Sequence, residues 1–100
     1  MSTKSVKPYV IVRTKDAGVF AGTLESREEK EVTLSNVRRL WYWAGAASLS
    51  QLAVSGVTQP QNCKFPVEVS KILLTEAIEI LSVTDVARCS IAEVPVWQIK

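Results

Sequence analysis

The sequence predicts a small α+β domain: an antiparallel, barrel-like sheet with a helical insertion and a C-terminal helix. Three observations carry this. Five short segments are rich in β-branched and aromatic residues. Two further stretches carry helix-capping residues. The chain has 100 residues, 47% hydrophobic and 22% charged, which suits one folded core and excludes wholesale disorder. Residues 1–8 are read as a flexible basic N-terminus and residues 9–100 as one domain.

Residues 9–14 form the first expected strand. Residues 15–18 follow as a turn, with Gly18 free to take a positive φ. Residues 19–26 form the second strand, where Gly22 marks a bend or bulge. Residues 27–30 make a solvated hairpin tip. From 31 to 36 apolar and polar residues alternate, and the alternation runs on through 37–43. Ser48 is placed to cap a short helix over 49–55, closed by Gly56. Leu49, Leu52 and Ala53 share one face of it. Residues 57–66 hold Pro60, Asn62 and Pro66 and read as a loop. Residues 67–75 are extended, and Glu76 and Ala77 link them tightly to another strand over 78–81. Thr84 or Ser82 caps a last helix near 85–92. Pro95 stops it, and residues 94–97 dock as an extended tail.

Composition narrows the chemistry. There is no histidine, which excludes Ser-His-Asp and Cys-His catalysis and histidine metal sites. Cys63 and Cys89 form no CxxC pair and read as packed small residues. Glu28, Glu29 and Glu31 read as a soluble hairpin tip, and Glu76 and Glu79 lack the spacing partner a metal needs. No catalytic residue, metal or cofactor is expected. There is no run of about 18 apolar residues to span a membrane, and no apolar segment follows the polar start, so no secretory leader is expected.

The net charge of +2 is unevenly spread. Residues 32–67 contain Arg38, Arg39 and Lys64 and no acid. That stretch also holds Trp41, Tyr42 and Trp43, then the small residues Ala44, Gly45, Ala46 and Ala47 before Ser48. If the strand keeps its period, Val32, Leu34, Leu40 and Tyr42 share the core face. Val37, Arg39, Trp41 and Trp43 then share the other. Rings stack on bases, guanidinium groups pair with phosphates, and a helix N-terminus receives an anion. Arg38, Arg39, Trp41, Trp43, Gly45, Ala46 and Ser48 are therefore the candidate ligand-binding residues. Two other readings stay open: the rings pack internally, or they form a subunit interface. The exposed aromatics favour a homo-oligomer, a dimer or a tetramer.

Residues 18–26 and 32–36, closed by 72–80, resemble in topology the SH3-like and Sm-like small barrels. That resemblance implies an RNA-binding module. The insertion between the two halves is foreign to the usual Sm pattern. The segment 38–53, with Gly56, Pro60, residues 72–80 and residues 94–97, resembles a family of small phage-encoded proteins with a Trp-Tyr-Trp-x-Gly-Ala motif. Membership among the phage anti-CBASS sponges would imply binding and sequestration of a cyclic dinucleotide such as 3′,3′-cyclic GMP–AMP in the host cytoplasm, without cleavage. The alternatives are the Sm-like RNA-binding module and a protein-interaction or virion-assembly module.

Overall fold

The computed structural model describes residues 7–98. Residues 1–6, most of the expected basic N-terminal segment, lie outside them. Lys7 pairs with Glu25, and the Pro8 carbonyl accepts from the Leu24 N–H at 2.8 Å.

The meander comes first. β1 (Tyr9–Thr14) and β2 (Val19–Glu28) are joined by a turn in which Gly18 takes φ +106°. β3 (Glu31–Arg39) follows a tight turn through Glu29, whose own φ is +54°. The insertion then carries α1 (Leu49–Ser55) and a 3₁₀ turn over Pro60–Asn62. β4 (Val69–Leu74), β5 (Ala77–Ser82) and α2 (Asp85–Glu93) complete the order. The link between β4 and β5 is Thr75 and Glu76, one residue earlier than the sequence suggests.

The five named strands pair antiparallel throughout, in the order β4-β3-β2-β1-β5. β4 and β5 are consecutive in the chain yet lie at opposite edges of the sheet. A flat sheet would hold its outer strands about 19 Å apart, at ~4.8 Å per strand. Two linking residues span only about 11 Å from Leu74 to Ala77. The sheet must therefore curl until its edges approach. Both neighbouring turns hold the link: Lys15 N–H donates to the Glu76 carbonyl and Ala77 N–H to the Lys30 carbonyl, each at 3.0 Å. The edges do not pair with each other, so the sheet is open and the expected barrel-like closure is not completed.

Period-2 alternation divides the strands between two apolar clusters. Val10, Val12, Phe20, Val32, Leu34, Val37 and Leu74 fill one face. Ile11 and Ala21 point to the other, where Leu40, Leu52, Ala53, Phe65, Ile91 and Val94 cover them. The insertion and α2 thus roof a face that the sheet alone would leave wet.

The expected parity of β3 does not hold. Val37 lies with Val32 and Leu34, not opposite them, while Leu40 joins the helix-covered cluster. The cause is a bulge. Ala21 pairs with Arg38 and Thr23 with Ser35, so Asn36 and Val37 together oppose Gly22. Asn36 takes φ +51°, which asparagine tolerates better than most residues. Gly22 admits the crowded strand: a Cβ there would sit 3.1 Å from the Ser35 carbonyl oxygen and 3.2 Å from a Val37 methyl.

Both helices begin as their sequences dictate. Ser48 Oγ accepts from the Gln51 N–H, and Gly56 closes α1 at φ +78°. Thr84 Oγ1 accepts from the Ala87 N–H and also donates to the Val54 carbonyl at 2.7 Å, joining α2 to the end of α1. Past α2 the tail docks in extended form. Val96 bridges to Phe65, and Trp97 N–H donates to the Phe65 carbonyl at 3.0 Å. No helix among the described residues is long and apolar enough to cross a membrane.

Candidate ligand-binding site

The bulge at Asn36 decides where the two arginines go. Arg38, opposite Ala21, turns to the helix-covered face and is 6% exposed. Its Nε donates to the Pro66 carbonyl at 3.2 Å. Nη1 reaches the carbonyls of Ile91 at 3.0 Å and Val94 at 2.9 Å, and Nη2 that of Phe65 at 2.7 Å. Burial draws its pKa below the ordinary arginine value. A guanidinium spent on four backbone oxygens is a structural clamp. The expected phosphate contact by Arg38 is therefore corrected.

Arg39 turns the other way. It is exposed, pairs with Phe20 across the sheet, and sets its guanidinium carbon 4.8 Å from the Phe20 ring centroid. It lies on the face of Val32 and Leu34 rather than the opposite one, but it stays free to meet solvent or a ligand.

Beyond β3 the chain keeps an extended course because residues of the insertion pair with it. Trp41 N–H and Tyr42 N–H both approach the Lys64 carbonyl, and Lys64 N–H donates to the Tyr42 carbonyl at 2.7 Å. Trp41 is left 63% exposed. Trp43 is half-buried and packs against the helix-side cluster. Arg39, Trp41 and Trp43 line one shallow cleft of about 320 Å³, together with residues 16–19 of the β1–β2 turn.

That turn brings Asp16 into the cleft from outside the acid-free stretch. Sequence reasoning missed it because residue 16 and residue 39 meet only through the β1–β2–β3 meander.

The rest of the expected site is absorbed by packing. α1 has seven residues, and its start is capped from within. Ser48 Oγ takes the Gln51 N–H, and Gln51 Oε1 takes the Ala47 N–H at 2.7 Å. The Ser48 hydroxyl is thus engaged in capping α1. Gly45 takes φ +90°, and a Cβ there would fall 2.4 Å from Thr58 Oγ1 and 2.5 Å from Thr58 N. Its lack of a side chain admits the 58–59 backbone, not a ligand. Ala46 is half-buried against the helix-side cluster. The structure thus keeps Arg39, Trp41 and Trp43 together and releases Arg38, Gly45, Ala46 and Ser48.

A family described as a domain of unknown function, DUF6948, matches residues 7–91. The chain belongs to the DUF6948 family. No curated protein and no solved structure matches it. The DUF6948 span contains the whole cleft, the clamp residue Arg38 and its acceptors up to Ile91. Val94 and Trp97 lie beyond it.

Proposed function

We propose that the protein binds a cyclic dinucleotide and sequesters it uncleaved, as a phage-encoded anti-CBASS sponge does. The observation that carries the reading is the convergence of Arg39, Trp41 and Trp43 on one cleft. An exposed indole offers a base a stacking surface, and a free guanidinium beside it offers a phosphate a charge-assisted contact. Asp16 supplies an acceptor for the N–H edge of a purine such as guanine, so 3′,3′-cyclic GMP–AMP is the first ligand to test.

The cleft sits at the small end of the roughly 300–1,000 Å³ range of ligand pockets. It suits one base and one phosphate. A cyclic dinucleotide has two of each, so two copies of the cleft enclose one ligand and the working unit is a homodimer or a tetramer. The curled sheet, in the strand order of an SH3-like or Sm-like barrel, is the rigid frame on which the cleft is built.

Calorimetry with a panel of cyclic dinucleotides tests this. Arg39→Ala is expected to weaken binding about ten- to a hundredfold, as for the loss of a charged hydrogen bond. Denaturing the complex is expected to release intact ligand. Absence of heat for every member of the panel at high micromolar protein overturns the reading, and recovery of a linear product makes the protein an enzyme instead.

A further inference from the structure

A second aromatic surface lies apart from the cleft. Lys64 Nζ stands 6.0 Å from the Tyr42 ring centroid and 5.5 Å from that of Trp97. Both rings are open to solvent, Tyr42 at 52% and Trp97 at 47%. Neither lines the cleft of Arg39, Trp41 and Trp43. Three chain segments meet to build this surface. Tyr42 bridges to Lys64, the next residue Phe65 bridges to Val96, and Trp97 N–H donates to the Phe65 carbonyl. The backbone beneath the rings is therefore fixed by hydrogen bonds.

Lys64 makes no ion pair among the described residues. Its ammonium lies within cation–π range of both rings and stays exposed, with N–H donors to offer a ligand. Two kinds of partner fit an exposed Tyr–Trp pair, a protein or a base-bearing ligand. Lysine at the centre decides between them. Interface cores are depleted in lysine, because covering an unpaired ammonium costs desolvation that apolar contact does not return. A phosphate next to a stacked base removes that cost.

We propose that Tyr42, Lys64 and Trp97 form a binding surface for single-stranded nucleic acid, with bases stacked on the two rings and a backbone phosphate on Lys64. Both rings lie open to solvent, which suits a strand laid across them. Stacking accepts any base face, so the binding is sequence-tolerant.

The test is fluorescence anisotropy of short labelled oligouridylate and oligothymidylate with the full chain at low salt, repeated across a salt series. Binding by the wild type is expected, with Trp97→Leu weaker by roughly five- to a hundredfold. Lys64→Gln is expected to lower affinity and to reduce the salt slope by about 0.7, the value for one phosphate of a single strand. Lys64 is exposed, so this variant keeps the fold even if Trp97→Leu loosens the tail. Trp41→Ala is expected to bind the oligonucleotides normally, which separates this surface from the cleft. The proposal is overturned if the wild type leaves the anisotropy unchanged or if Lys64→Gln binds with an unaltered salt slope. A self-associating wild type that Trp97→Leu renders monomeric, with no oligonucleotide bound, overturns it in favour of a protein interface.

Discussion

Arg38 holds Phe65 twice: its guanidinium carbon lies 5.5 Å from the ring centroid, and its Nη2 donates to the same residue's carbonyl at 2.7 Å. The same side chain reaches Pro66, Ile91 and Val94. One cation thus ties β3 to the end of the insertion and to the end of α2.

Arg38→Met is expected to destabilise the domain by roughly 3–5 kcal/mol, because four carbonyls, three of them in buried bonds, lose a charged donor at once. At about 4–8 °C per kcal/mol for a chain of this size, thermal melting reports a fall well above 10 °C. Arg38→Lys recovers little of it, since an ammonium cannot match the planar fork. A variant that melts like the wild type removes the clamp from the account.

Gly45 and Gly18 both take positive φ, yet they differ in surroundings. Gly45→Ala forces a Cβ against the Thr58 backbone nitrogen at 2.5 Å and the Gln59 nitrogen at 2.7 Å. Gly18→Ala meets nothing within 4 Å. Conformational strain alone costs about 1 kcal/mol, so Gly18→Ala is expected near that value and Gly45→Ala at about 3 kcal/mol or more. Urea midpoints of the two variants check the order.

Ser48→Ala removes the cap of α1 and is expected to cost about 1 kcal/mol in denaturant unfolding. It leaves the affinity of the cleft for any anion unchanged. A selective loss of ligand binding without loss of stability would return Ser48 to the site.

Trp41 and Trp43 separate function from packing. Trp41→Ala is expected to change stability by less than about 0.5 kcal/mol, because the ring is mostly exposed, while reducing ligand affinity. Trp43→Ala strips a half-buried ring from the helix-side cluster and is expected to lower the melting temperature as well. Paired melting and calorimetry on both variants distinguish the roles.

Glu25 carries a pH signature. Hydrogen bonds from Lys7 and then Ser35 hold its carboxyl below the ordinary glutamate range. A folded pKa below the unfolded one contributes stability that is fully present above the ordinary glutamate value and is lost as pH falls through the folded value. Glu25→Gln is expected to flatten that acid limb by lowering the neutral plateau of the melting temperature, leaving the acid end unchanged. An identical acid limb in the variant discounts the contact.

Local signals made much of the fold legible. The caps at Ser48 and Thr84, the closing Gly56 and the stop at Pro95 each act within one helical turn, so the helices stand close to where the sequence puts them. Gly22 announced an irregularity, but its nature lies in the partner strand, where Asn36 turns the parity of everything after it. From that point the site was misassigned by one face. Arg38 looked like a phosphate ligand because its acceptors are backbone oxygens of residues 65, 66, 91 and 94, which leave no mark in a sequence. Lys64 and Trp97 carry no joint signal in the sequence for the same reason: only the bridges from 42 to 64 and from 65 to 96 bring them together. The Arg39, Trp41 and Trp43 group was legible because its members are neighbours in the chain.

The two-residue link at Thr75 and Glu76 also sets an order of events. Neither edge strand can find its place until the β1–β2–β3 meander exists, and the chain must traverse the whole insertion before β4 meets β3. β5 then crosses to the far side of β1, which was made first. The last-formed contacts are thus between segments most distant in sequence, so loop closure rather than hairpin zipping limits the rate. Folding is expected in the millisecond-to-second range of non-local β topologies. Through that interval both edges of the sheet stand unpaired, and refolding at high protein concentration competes with edge-to-edge association.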